Sequence, residues 1–159
     1  MPTSSSHEHH FECRLSWTGA LRGPTTSYQA YSRDLLVEVE GKPPLLGSAA
    51  PAFRGDGKVH NPEELLVAAL SECHCLSYLA LAALGGIALV GYEDRATGTL
   101  AKIDGQFRFR EVTLRPRVWL AAGANVDAAR ALHEKAHREC FIASSVNFPV
   151  RHEPEILVK

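Results

Sequence analysis

The sequence has little of several features that would assign it to a specialised class of protein. Its 159 residues include only four cysteines, one methionine and two tryptophans. Four cysteines in a chain of this length do not make a disulfide scaffold, and in a reducing cytoplasm they are expected to be free, metal-bound or redox-active. The 17 basic and 18 acidic residues leave a formal net charge of −1. This balance gives no electrostatic reason to expect nucleic acid or an anionic membrane surface as a partner.

Long uninterrupted apolar runs are also missing. The stretches Leu65–Leu70 and Leu76–Leu84 are separated by polar residues that include Ser71, Glu72 and His74. This interruption predicts a buried core helix and no membrane span. The polar, His-rich N-terminus has neither a basic region nor an apolar region of a signal peptide, so a cytoplasmic location is expected.

What is present is the pattern of one α+β domain. Residues 1–8 are expected to form a disordered tail and residues 9–159 a single domain. Apolar residues alternate with polar ones from Phe11 to Trp17, which predicts a half-buried strand with Cys13 in the core. Further strands are predicted along the chain: Leu89–Leu100, Phe107–Leu120 and Arg151–Val158. A second helix is predicted from Val126 to Glu139, and strands with separated helices favour an α+β fold.

The strongest local signal is the start of a long helix. Asn61 suits an N-cap, Pro62 suits the first helical position, and Glu64 lies where a capping-box acid would lie. Apolar residues then recur at helical spacing until Gly85 and Gly86, where the helix is expected to end. Cys73 lies on this helix.

The residues by themselves leave two interpretations of Cys73 open. A cysteine at this kind of position is commonly a small core residue. A reactive thiolate needs a nearby positive potential, and Cys73 lies about ten residues from the helix N-terminus, so an arginine from elsewhere would have to supply the charge. Glu63 on the same helix is a suitable anchor for such an arginine. Cys140, at the end of the second helix, is a candidate partner thiol.

Three segments resemble the OsmC/Ohr family. They are the run from Asn61 to Cys73, the segment Ala136–Cys140 and the turn Trp17–Gly23. The first resembles the family's Asn-Pro-Glu-Glu-Leu opening, which precedes the reactive cysteine by the same interval. The resemblance implies an OsmC-like fold with antiparallel sheets, a long central helix that carries the reactive cysteine, and an intertwined homodimer.

The resemblance also implies a peroxidase that reduces organic hydroperoxides of fatty-acid or aromatic type. Cys73 would attack the peroxide and become a sulfenic acid, and Cys140 would condense with it to a disulfide. Arg22 would stabilise the thiolate, and Glu63 would hold that arginine. The implied reductant is an external dithiol, for example of lipoyl type, with no bound cofactor. Arg33 and Arg54 are alternatives to Arg22.

Two other functions stay open at this point. His133-Glu134-Lys135-Ala136-His137 matches the HExxH pattern of zinc hydrolases, in which both histidines bind metal and the glutamate activates water. The short pattern occurs often on charged helices. No glycine-containing extension supplies an obvious third ligand, although Cys140 would share the helix face of His133, so no metal site is assigned. The second alternative is a non-enzymatic, stress-associated dimer that binds a lipid or acyl ligand and in which both cysteines pack.

Overall fold

The structure is a computed structural model that describes residues 7–159. The chain divides into two compact units, Met1–Pro62 and Glu63–Lys159. Most of the predicted tail lies outside the described residues, and His7 and Glu8 are exposed without regular structure. The predicted boundary at residue 9 and the assignment of residues 9–159 to one domain therefore stay predictions.

The N-terminal unit contains one antiparallel sheet of three strands. The strands are β1 (Arg14–Trp17), β2 (Leu35–Glu38) and β3 (Leu45–Gly47), in the order β1-β2-β3. Thr18–Arg22 and Pro51–Phe53 form short 3-10 helices. The loop between β1 and β2 is tied to β1, because Trp17 Nε1 donates a hydrogen bond of 2.7 Å to the Ser32 carbonyl.

The burial predicted for the first strand is wrong. Phe11 and Cys13 precede β1 and are exposed, and Leu15 within it is 60% exposed. The apolar alternation indicates a face that is suited to being covered. In the single chain this face is open to solvent, and Cys13 is a surface thiol.

The C-terminal unit contains two helices and two three-stranded sheets. Its elements are α1 (Pro62–Leu84, whose first residue closes the N-terminal unit), β4 (Leu89–Asp94), β5 (Thr97–Ile103), β6 (Gln106–Leu114), β7 (Pro116–Leu120), α2 (Val126–Glu139), β8 (Val150–His152) and β9 (Glu155–Val158). The sheets have the orders β4-β7-β9 and β5-β6-β8. In each sheet the antiparallel pairing that was predicted joins the first two strands, and the third strand is added in parallel.

The parallel pairs result from the way the chain ends. The predicted strand Arg151–Val158 is two strands, β8 and β9, which pair with different sheets. Pro154 lies between them and has no N–H to donate to a ladder, so pairing in one sheet stops there. Both sheets therefore receive their third strand from the C-terminus.

The predicted helix boundaries are confirmed. The α1 helix begins at Pro62 and ends at Leu84, where Gly86 adopts a left-handed φ of 68° and the Ile87 amide donates to the Ala82 carbonyl at 2.8 Å. The α2 helix begins after Asn125, whose side chain accepts a hydrogen bond from the Ala128 amide. Local capping chemistry fixes these ends.

Two apolar clusters hold the C-terminal unit together. The larger joins α1 and α2 to β7 through the buried residues Tyr78, Leu81, Ala82, Val118, Leu120, Ala129 and Ala136. The smaller joins Leu70 of α1 to Val112 and Leu114 of β6. By length and composition α1 is the one helix of residues 7–159 that is apolar enough to cross a membrane, although its polar residues were expected to exclude this. Its buried residues in both clusters make it a core helix of the unit.

Candidate active site

The structure brings together the two cysteines that the sequence singles out. Cys73 lies half-buried in the middle of α1, and Cys140 is buried at the C-cap of α2. The two side chains are neighbours, close enough for Cys73 to raise the pKa of the Cys140 thiol. Both thiols are free. The two helices therefore hold a reduced thiol pair.

The two members of the pair have different surroundings. Burial and the hydrogen bond to Cys73 raise the pKa of Cys140 to about 11. The Ala143 amide donates to Cys140 Sγ at 3.4 Å, and this contact together with the Ile142 amide favours the thiolate and offsets part of that rise. Cys140 is thus protonated at neutral pH and lies beside Cys73.

Cys75 faces another side of α1, as expected from its position two residues after Cys73. Burial, and secondarily the Asp94 carboxylate, raise the pKa of the Cys75 thiol. Asp94 also accepts hydrogen bonds from Ser71 Oγ at 2.5 Å and from the Arg115 amide at 2.6 Å. Cys75 therefore lies beside a satisfied polar network and outside the thiol pair.

The candidate arginines have distinct environments within the N-terminal unit. Arg22 ends a 3-10 helix, is 72% exposed and pairs with Asp34 at 3.0 Å. Arg33 is half-buried and donates to the carbonyls of Tyr28 and Tyr31 at 2.6 and 2.9 Å. Its guanidinium also lies 4.1 Å from the centroid of the Tyr31 ring. Arg33 thus organises its own loop, whereas Arg22 is held by one surface ion pair.

Glu63 lies in the first turn of α1, as predicted. Its Oε2 atom is buried and has no hydrogen-bond partner among the described residues. A buried carboxylate oxygen without a donor is costly, so the position is suited to receive a cationic or N–H group. Arg54, the third candidate, is exposed and adopts a left-handed φ of 66°. Which arginine meets Glu63 or Cys73 stays a prediction.

A cluster of four histidines lies in the C-terminal unit, and the sequence analysis did not anticipate it. Its members are His74 of α1, His133 and His137 of α2, and His152 of β8. The His74 Nε2 and His133 Nδ1 atoms are 3.0 Å apart, so one ring donates and the other accepts. The centroid of the His152 ring lies 5.6 Å from that of His74 and 5.6 Å from that of His137. We call these four residues the histidine cluster.

Burial lowers the pKa of three members of the histidine cluster. His74 and His133 are 1% and 0% exposed. Burial first, and the neighbouring histidines second, lower the pKa of His74 to about 4 and that of His133 to about 3. The pKa of His152 is lowered mainly by burial, against the opposing effect of Glu134. His74 and His133 are therefore uncharged at neutral pH.

The geometry of the HExxH segment differs from that of a zinc hydrolase. His133 bonds to His74, and Glu134 lies 3.4 Å from His152 Nε2. Within residues 7–159, no group of three or more His, Cys, Asp or Glu side chains is arranged to hold a metal ion. The segment instead supplies two members of the histidine cluster. Two features of the sequence could have indicated the histidine cluster. His74 directly follows Cys73, and His133 lies on the inner stripe of α2.

Comparison with known proteins places this geometry in a family. The family model described as OsmC-like protein matches residues 55–155. A solved structure of an OsmC-like protein of unknown function from Vibrio cholerae is 32% identical, covers 92% of this chain and 99% of its own, and superposes with a TM-score of 0.85. The chain belongs to the OsmC-like family. The predicted family and α+β OsmC-like fold are thereby confirmed.

More distant relatives of this OsmC-like chain share its length and fold. The protein YmaD of Bacillus subtilis is 24% identical over 155 residues, which are 96% of each chain. The organic hydroperoxide resistance protein OhrB of Bacillus subtilis is 20% identical, covers 92% of this chain and 98% of its own, and has a TM-score of 0.62. At this identity OhrB shows a shared fold.

Proposed function

We propose that this OsmC-like protein is a thiol-dependent peroxidase that reduces organic hydroperoxides to alcohols. The observation that carries the proposal is the proximity of Cys73 and Cys140, a half-buried and a buried free thiol. A thiol pair in contact can pass from sulfenic acid to disulfide without large motion. The presence of organic hydroperoxide resistance proteins among the structural neighbours supports the choice of substrate.

The proposed cycle has two oxidative steps. The Cys73 thiolate attacks the terminal peroxide oxygen, so that an S–O bond forms, the O–O bond breaks and the alkoxide leaves as an alcohol after it takes up a proton. The Cys140 sulfur then attacks the Cys73 sulfenic acid. An S–S bond forms, the S–O bond breaks, and water leaves with the Cys140 proton. Amide donation from Ala143 to Cys140 Sγ favours the attacking thiolate in this step.

An external dithiol completes the cycle by thiol–disulfide exchange, with no bound cofactor. A lipoyl-type dithiol fits this role because it carries two linked thiols and leaves as a cyclic disulfide. Arg22 is proposed to stabilise the Cys73 thiolate and to polarise the peroxide, with Glu63 as its anchor. The unpartnered Oε2 of Glu63 supports a guanidinium as its neighbour.

The protein is proposed to act in the cytoplasm as an intertwined homodimer. Support for a second copy comes from large apolar side chains that the single chain leaves open on α1 and just after α2. They include Leu76, Leu84 and Phe141. Apolar groups at this density are typical of a surface that a partner covers. Sedimentation of the purified protein at two concentrations is expected to give the mass of two chains.

A turnover assay tests the proposed activity. Purified protein, dihydrolipoamide and either cumene hydroperoxide or hydrogen peroxide are mixed, and peroxide consumption is followed. Faster consumption of cumene hydroperoxide, lost in Cys73→Ser and kept in Cys13→Ser, is the expected result. Cys13 is a suitable control because it is an exposed thiol outside the pair. Absence of peroxide consumption, together with binding of a fatty acid, would favour the non-enzymatic lipid or acyl binder.

A further inference from the structure

The histidine cluster lies where α1 and α2 meet and has no part in the peroxidase chemistry described above. Three contacts join the two helices besides the thiol pair. The His74 and His133 rings share a hydrogen bond, the Tyr78 and His133 rings stack with centroids 4.1 Å apart, and the Tyr78 hydroxyl donates to the Ala129 carbonyl at 3.0 Å. All of these side chains are buried. We call His74, Tyr78 and His133 the helix clasp.

The helix clasp fixes both the rotation and the translation of α1 against α2. Along α1 the contacts run from His74 to Tyr78, and along α2 they run back from His133 to Ala129, so the helices are paired in antiparallel register. One turn of helix is about 5.4 Å long. A disulfide needs Cβ atoms about 3.5–4.5 Å apart, so slippage by even part of a turn separates the two thiols.

The hydrogen bond of the helix clasp exists only while the two rings share one proton at the contact. Were both facing nitrogens protonated, two N–H groups would oppose each other across 3.0 Å. The other nitrogen of each ring has no acceptor for an added proton, since His74 Nδ1 and His133 Nε2 are buried without a partner in the part of the chain described. A second proton on either ring would therefore be a buried, unpaired charge.

The groups around the helix clasp offer little compensation for such a charge. His137 and Arg130 of α2 and His152 of β8 are neutral or cationic neighbours and disfavour protonation. Tyr92 of β4 lies against Tyr78, its ring centroid 6.0 Å away, and is uncharged because burial raises its pKa. The Glu134 carboxylate is 68% exposed and lies 3.4 Å from His152 Nε2.

We infer that His74 and His133 are positioning residues for the Cys73–Cys140 pair, and that acid releases the thiols by protonating this histidine pair. The inference rests on the proposed function in that it treats closure of the Cys73–Cys140 disulfide as the step being controlled. Cys73 and His74 are neighbours on α1, and Cys140 ends the helix that carries His133, so separation of the helix clasp separates the sulfurs.

The test uses 2,2′-dithiodipyridine, a disulfide reagent that reacts with thiols under acidic conditions, in a Cys13→Ser/Cys75→Ser background. The first thiol forms a mixed disulfide and releases one thiopyridone. The second thiol then attacks this mixed disulfide, the Cys73–Cys140 bond forms, and a second thiopyridone leaves. The rate of the second release reports the positioning of the thiols. No hydroperoxide is present, so failure of the peroxidase proposal leaves this measurement interpretable.

Three variants separate positioning from folding. His74→Ala removes the bonding nitrogen and is expected to slow the second release roughly 10- to 100-fold at about pH 7.5, as for a misplaced reacting group. His74→Gln keeps a bonding atom near the place of Nε2 and is expected to stay within about threefold of the parent. His9→Gln, at an exposed histidine, is the matched control and should change nothing. Far-UV circular dichroism checks each variant for folding.

The pH dependence of the second thiopyridone release distinguishes a positioning role of the histidine pair from a purely structural one. Thiolate chemistry alone slows about tenfold per pH unit in every variant. The parent and His9→Gln should lose more than this between about pH 5 and pH 3, whereas His74→Gln should follow the thiolate slope alone. A parent profile that follows only the thiolate slope, or parental rates in folded His74→Ala, would overturn the inference. If His74→Ala does not fold, the comparison of the parent with His74→Gln decides.

Discussion

His74 and His133 meet through a single hydrogen bond of 3.0 Å, and the rings lie nearly parallel, with an interplanar angle of 6°. Two helices that belong to different parts of the sequence are joined by this pair. The same two helices carry Cys73 and Cys140, whose side chains are neighbours. The stability of the fold and the geometry of the thiols therefore depend on common contacts, and both can be tested.

The free energy of unfolding should fall as the solution becomes acidic. The unfolded chain binds protons at His74 and His133 near the ordinary pKa of 6.5, whereas burial keeps the folded rings neutral until about 4 and about 3. Stability is therefore full above pH 6.5 and is lost as the pH falls below it, at up to about 1.4 kcal/mol per pH unit for each histidine. Urea unfolding from about pH 7.5 to pH 4.5 measures this slope. A flat profile would contradict the burial of neutral rings.

Removal of the Tyr78 hydroxyl should weaken the contact between the helices. Tyr78 is fully buried and its hydroxyl donates to the Ala129 carbonyl at 3.0 Å. Tyr78→Phe is expected to lower the free energy of unfolding by about 0.5–1.5 kcal/mol, because the ring stack remains and one hydrogen bond is lost. Tyr28→Phe, at an exposed tyrosine, is the control and should change stability little. Equal stability of both variants would argue against a strong Tyr78 bond.

The helices and their ends were predictable because they are encoded locally. Asn61, Pro62 and Gly86 are capping and terminating residues, and the predicted limits of both helices agree with the structure. Sheet direction was not predictable in this way. The parallel pairing of β8 with β6 and of β9 with β7 joins segments far apart in the chain, and no periodicity encodes it.

The candidate site was predictable only in part, for a similar reason. The family resemblance identified Cys73 and Cys140, and the structure places these thiols together. The histidine cluster was missed because His152 joins it from a strand at the end of the chain, and His74 alone has no pattern that predicts a partner. The exposure of Leu15 was missed because alternation predicts a face that is suited to burial and does not show what covers it.

Replacement of Cys140 should separate the two oxidative steps. In Cys140→Ser, Cys73 can still react with a hydroperoxide, but no second sulfur is available to form the disulfide. A sulfenic acid that is trapped by dimedone, followed by overoxidation to sulfinic acid with excess peroxide, is the expected outcome. Intact-mass measurement after a short and a long exposure detects both products. Normal turnover in Cys140→Ser would assign the resolving thiol elsewhere.

A comparison of three arginine variants should identify the catalytic cation. Arg22→Ala is expected to slow the oxidation of Cys73 by about 100-fold or more, because a positioned charge stabilises both the thiolate and the transition state. Stability should change by less than about 1 kcal/mol, since Arg22 is held by one exposed ion pair to Asp34. Arg33→Ala and Arg54→Ala are measured in parallel by stopped-flow thiol loss. A large rate effect in either of these variants, with normal rates in Arg22→Ala, would assign the stabilisation of the Cys73 thiolate to that other arginine.

Cys73 and Cys140 are proposed to form one redox unit. Peptide mapping after limited oxidation shows directly which cysteines become linked. The reduced protein is treated with one equivalent of cumene hydroperoxide, blocked with iodoacetamide and digested without reductant. The expected result is a disulfide-linked peptide pair that contains Cys73 and Cys140, while Cys13 and Cys75 are recovered alkylated. Recovery of all four cysteines in alkylated form, or a disulfide that links a different pair, would contradict it.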